Sequence, residues 1–99
     1  MIQVKELMDI VDSKDIILID VREVSEFTSG HAKGARSFPL SALPQNAHLL
    51  KGYTTIYVMC RSGGRSAMAT EMLTRLGLNA INVEGGYLAW EDAELPIAK

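Results

Sequence analysis

"TTIYVMCRSGGRSAMATEML", residues Thr54–Leu73, sets a β-branched and aromatic run against the only cysteine of the chain, then two glycines, then a helical pattern. Thr55–Met59 has the composition of a strand buried on both faces. Beyond the glycines, Ala69, Met72, Leu73 and Leu76 fall at i, i+3, i+4 and i+7. That is the apolar stripe of a helix packed on a sheet, and Gly77 is expected to end it. A strand that passes through a short loop into a helix is the repeating step of α/β folds, whose sites lie at the carboxyl ends of strands. Cys60 occupies such an end.

The same step recurs outward from this stretch. "IILID" (Ile16–Asp20) predicts a second buried strand, ending in Asp20. Before it, Val4, Leu7, Met8 and Val11 predict a helix over Val4–Asp12, after a short Ile2–Gln3 strand. "SEFTSGH" predicts a short helix capped by Ser25 and stopped by Gly30. "GARSFPL" is extended, and Pro39 assigns it to an edge or a strand end. Ser41–Leu50 is a helical or turn-rich link, "NAINV" a further strand, and Gly85–Gly86 a turn. "YLAWEDA" is a last helix carrying the only tryptophan, Trp90. Strands alternating with short helices predict an α/β fold with a mainly parallel sheet.

With 99 residues, one domain over residues 1–99 is expected. The net charge of −2 excludes whole-domain attraction to nucleic acid but allows a local cationic site at Arg61 and Arg65. One cysteine leaves no internal disulfide and fits a reducing compartment. Cys60, His31 and His48 lack zinc-site spacing, so no metal is expected. The N-terminal residues read as folded chain with no apolar leader segment, and no apolar run approaches the ~18 residues of a membrane span. The expectation is a cytoplasmic protein without membrane or nucleic-acid partners.

The loop after Cys60 carries the chemistry. Backbone N–H groups at a helix start are unpaired and favour negative charge. Gly63 and Gly64 are expected at positive φ, curling successive N–H groups into an anion nest. A thiol in such a nest ionises more readily, because amides and arginines stabilise the thiolate. A lone cysteine often only packs, and glycines after a strand often only turn. Cys-x-x-Gly-Gly-Arg-Ser between strand and helix, with two arginines beside the thiol, favours a nucleophile facing an anionic substrate.

These residues resemble a family. "CRSGGRS" (Cys60–Ser66) is similar to the active-site loop of the rhodaneses, sulfurtransferases that carry sulfane sulfur on a cysteine. "LIDVREVSEFTSGHAKGARSFPL" resembles their first signature and "VEGGYLAW" their closing one, in the expected order from Leu18 to Trp90. Ala32–Lys33 stand where many members have Ile-Pro, a difference that bears on the local turn and not on the cysteine. The resemblance implies a three-layer architecture with helices on both faces of the sheet. It also implies a Cys60 persulfide, formed from thiosulfate, a low-molecular-weight persulfide or another small anionic sulfur donor and discharged to a thiol or cyanide, without a cofactor. The amides of Arg61, Ser62, Gly63, Gly64, Arg65 and Ser66 would hold the terminal sulfur anion.

In that reading Arg61 either draws anionic donors or is an ordinary surface arginine. Arg65 fixes the loop, either by hydrogen bonding to loop carbonyls or by pairing with Asp20 or Glu26. Ser62 and Ser66 offer hydroxyls, Ser66 also as a helix cap. Asp20, Arg22 and Glu26 form a supporting ion-pair set. His31 is structural, His48 lies on the surface and Trp90 in the core. Two other functions compete. Cysteine-dependent phosphatases and arsenate reductases share the chemistry, but phosphatase loops are one residue longer between Cys and Arg than Arg61–Gly64. A sulfur-relay or regulatory module with a protein acceptor is the other.

Overall fold

The computed structural model describes residues 1–99. Four parallel strands form the central sheet: β1 (Ile16–Asp20), β3 (Arg36–Ser37), β4 (Thr55–Met59) and β5 (Ala80–Asn82), in the order β3-β1-β4-β5. Alternate residues of β1 and β4 feed two separate cores, the consequence of the two-residue repeat of a strand. Ile17, Ile19, Ile56 and Val58 pack with Leu43 of α3 (Leu43–Asn46) and with Ala69 and Leu73 of α4 (Gly64–Arg75). Leu18, Tyr57 and Met59 pack with Val4 and Leu7 of α1 (Val4–Ile10) and with Tyr87 and Trp90 of α5 (Gly86–Asp92). The fold is therefore α/β with a parallel sheet, as the sequence pattern predicts, and has helices on both faces, as the resemblance implies.

Several local expectations change. Ile2 makes only an isolated bridge to Val83, and α1 stops at Ile10. The short helix α2 (Val24–Ser29) is capped by Glu23 and not by Ser25. A capping box decides this, since the Glu23 N–H donates to Glu26 Oε1 at 3.0 Å while the Glu23 side chain accepts from the Glu26 backbone. Leu76 does not extend the apolar stripe of α4. It is the C-cap, 58% exposed, and the chain leaves the helix at Gly77. Beyond α5, β6 (Ile97–Ala98) pairs antiparallel with β2 (His31–Ala32), a ribbon that no sequence pattern announces. Trp90 Nε1–H donates to Pro96 O at 2.7 Å, tying this ribbon to the buried indole.

Candidate active site

The register of β1 on β4 places Asp20 beside Met59, so the two chain segments leave the same edge of the sheet together. From β4 the chain turns at Cys60 and enters α4 at Gly64. Cys60 is buried, 1% exposed, at the floor of this loop. Its thiol donates to Ser66 Oγ at 3.3 Å, and the Ser66 hydroxyl donates to Gly63 O at 3.1 Å. The Gly63 N–H donates to Cys60 Sγ at 3.0 Å. Burial opposes ionisation of this thiol. The Ser66 hydroxyl and the N–H groups of Ser66, Gly63 and Ser62 outweigh it, and the thiol lies below its ordinary range.

Gly63 is the loop residue that needs to be glycine. Its φ of +130° is a conformation other residues rarely adopt, although a Cβ there would meet no atom within 4 Å. Gly64 does not share this role. It is not at positive φ and simply opens α4, so the expected pair of left-handed glycines is one. None of the N–H groups from Arg61 to Ser66 bonds a backbone carbonyl. The last three belong to the first turn of α4, where no intrahelical acceptor exists.

The charged residues fall into two pairs rather than one set. Asp20, fully buried, accepts from the Arg22 backbone N–H at 3.0 Å and from its guanidinium at 2.8–3.1 Å. Arg22 also donates to Gly30 O at 2.8 Å, and its guanidinium carbon lies 4.3 Å from the centre of the Tyr87 ring. Separately, Arg65 donates to Glu26 at 2.6 and 3.0 Å. Of the two acids the sequence offered as partners of Arg65, the one it binds is Glu26, because Asp20 is taken by Arg22. Hydrogen bonding to Arg65 is the main cause that lowers the Glu26 carboxyl to about 2.

Arg61 and Ser62 are exposed. Ser62 contributes its backbone N–H to the thiol, while Ser66 contributes hydroxyl and N–H alike. His31 is structural: Nδ1–H donates to Phe27 O at 2.8 Å and the ring stacks on Phe27 at 3.7 Å. His48 is exposed and Trp90 buried. No group of three His, Cys, Asp or Glu side chains is placed to hold a metal.

One residue of the site went unrecognised in the sequence. Gly86, read there as part of a turn, lies against the cysteine loop, where a Cβ would stand 2.5 Å from Cys60 O and 2.7 Å from Arg61 O. A second glycine, where a turn needs only one, was the available signal.

Comparison with known proteins shows what the chain as a whole is similar to. Residues 3–93 match the family model described as a rhodanese-like domain. An uncharacterized Synechocystis protein, slr1261, is 40% identical over 97 residues, covering 96% of this chain, which spans about half (54%) of that relative's length. A protein named sulfurtransferase, from Allochromatium vinosum, is 30% identical over 89% of this chain and 83% of its own. The crystal structure of a rhodanese-related protein from Thermoplasma volcanium superposes with a TM-score of 0.88 at 33% identity, covering 98% of this chain and 95% of that one.

Proposed function

The chain belongs to the rhodanese-like domain family, and from that premise we propose that it is a sulfurtransferase working through a persulfide on Cys60. Family membership and the relative named sulfurtransferase support a role of the sulfurtransferase type. The observation that carries the finer reading is the thiol itself. A buried cysteine is held below its ordinary ionisation range by inward N–H groups and a hydroxyl at the start of a helix.

In the first half-reaction the Cys60 thiolate attacks the outer sulfur of thiosulfate. The sulfur–sulfur bond of the donor breaks, and sulfite leaves with the electron pair. Cys60 is then a persulfide whose terminal sulfur carries the negative charge. In this reading the amides of Arg61–Ser66, of which those of Ser62, Gly63 and Ser66 already act on the thiol, hold that atom as an oxyanion hole holds a developing oxyanion. In the second half-reaction a nucleophile (cyanide in an assay, a thiol in the cell) bonds to the terminal sulfur, and the Cys60 thiolate is the leaving group. The covalent intermediate gives ping-pong kinetics. In this reading the N–H groups and the Ser66 hydroxyl that lower the thiol favour its anion, and no separate general base is assigned. Glu26–Arg65 and Asp20–Arg22 brace the loop, and Arg61 is free to meet anionic donors in a cytoplasmic setting.

Intact-mass analysis after incubation with thiosulfate tests this directly. One added sulfur is expected, removable by dithiothreitol and absent from Cys60→Ser. No adduct on the wild type, or the same adduct on the variant, refutes the assignment.

A further inference from the structure

Two carbonyls of the cysteine loop are held by the first turn of α5. The Tyr87 N–H donates to Cys60 O at 2.8 Å, and the Leu88 N–H donates to Arg61 O at 3.1 Å. In a trans peptide the carbonyl and the following N–H point to opposite sides. Drawing the Cys60 carbonyl towards α5 therefore turns the Arg61 N–H the other way, into the loop. Drawing the Arg61 carbonyl does the same for the Ser62 N–H. These two amides are thus oriented by bonds made on their far side, and neither bonds a backbone carbonyl of its own.

Gly86 admits this contact. It is buried, at φ +59°, and a Cβ would stand 2.5 Å from Cys60 O, 2.7 Å from Arg61 O and 2.9 Å from the Arg61 carbonyl carbon. All three are backbone atoms, which no change of rotamer can move. Every other close approach under 3.0 Å at a glycine of this chain is to a side chain. We infer that the first turn of α5, admitted by Gly86, is a positioning clamp that aims the Arg61 and Ser62 amides at the sulfur carried by Cys60. Gly86, Tyr87 and Leu88 act through the two carbonyls. The part of this inference that concerns turnover rests on the sulfurtransferase reading above; the part that concerns the thiol does not. The transferred sulfur keeps its negative charge while the electron pair of the broken bond leaves with sulfite, and it comes to rest among these amides only as it bonds to Cys60, so a loosened clamp slows the chemical step more than it weakens donor binding.

The test follows the Cys60 thiol through a pH titration of its Cβ carbon-13 shift, in the absence of any sulfur donor, beside thiosulfate-to-cyanide turnover. Gly86→Ala pushes directly on the loop carbonyls. Leu88→Pro removes one of the two donors at a first-turn position, where the N–H has no partner inside the helix. Gly85→Ala is the matched control: its Cβ meets the Ala89 side chain at 2.7 Å and φ is +75°, so it strains the same turn without touching the loop. Gly86→Ala and Leu88→Pro are expected to raise the thiol midpoint by about one pH unit and to lower kcat roughly tenfold with a smaller change in KM. Gly85→Ala is expected to lower thermal stability and leave the midpoint in place. Should Gly86→Ala fail to fold, Leu88→Pro still decides. An unmoved midpoint in the folded variants, or an equal rise in Gly85→Ala, overturns the clamp. A raised midpoint in a protein whose wild type never gains sulfur from thiosulfate upholds the clamp and rejects the sulfurtransferase reading.

Discussion

Glu26 and Arg65 are joined by two hydrogen bonds, 2.6 and 3.0 Å long, that tie the short helix α2 to the first turn of α4. Each side chain is about one third exposed, so the pair is screened and its contribution modest, about 0.2–1 kcal/mol. The Glu26 carboxyl is lowered from 4.5 to about 2. A depressed acid stabilises the folded state above its unfolded value and loses that contribution as pH falls through the folded value. Glu26→Gln is therefore expected to be slightly less stable than the wild type near neutrality. The difference should close as pH falls from 4.5 to about 2, as read by urea unfolding at several pH values. A difference that stays constant across that window contradicts the assignment.

The Asp20–Arg22 pair behaves differently because both partners are buried. Arg22→Met leaves a carboxylate in the interior without its cation, which costs about 3–5 kcal/mol. Replacing both partners, Asp20→Leu with Arg22→Met, is expected to cost less than Arg22→Met alone. Chemical denaturation of the three proteins checks the order.

The strands and the cysteine loop were legible because their signals are local: a β-branched run, a lone thiol and glycines adjacent in sequence. What was not legible depended on contacts between distant segments. Arg65 had two acidic candidates. The choice fell to Glu26 because Arg22, two residues from Asp20, folds back on that carboxylate. Ser25 was expected to cap α2, yet the reciprocal bonds of Glu23 and Glu26 prevailed. The two-residue strands β2 and β6 are too short to carry a period. Gly86 read as a turn because its neighbour, the Cys60 carbonyl, belongs to another part of the chain.

Ser66 is buried and sits 3.3 Å from the Cys60 thiol, with the hydrogen bond turned to Gly63 O in the neutral state. When the thiol ionises, the hydroxyl is placed to donate to sulfur instead. Ser66→Ala removes that donor and is expected to raise the Cys60 midpoint by about one pH unit, reducing the thiolate roughly tenfold below it. The acid limb of the turnover profile should move to higher pH by the same amount. An unmoved profile means the backbone amides suffice.

The two glycines of the loop should part company on substitution. At Gly63 a Cβ meets nothing within 4 Å, so crowding is not the obstacle; the φ of +130° is. Forcing an L residue there costs about 1–3 kcal/mol or makes the loop re-form, and re-forming takes the Gly63 N–H off the sulfur it reaches at 3.0 Å. Gly64 is not at positive φ, begins α4 and likewise has open space at its Cβ. Alanine there narrows the unfolded ensemble and suits the helix, a change of up to about 1 kcal/mol in favour of folding. Thermal unfolding is therefore expected to place Gly63→Ala below the wild type and Gly64→Ala level with it or above. The opposite order would assign the strained backbone to Gly64, as an anion nest built on both glycines requires.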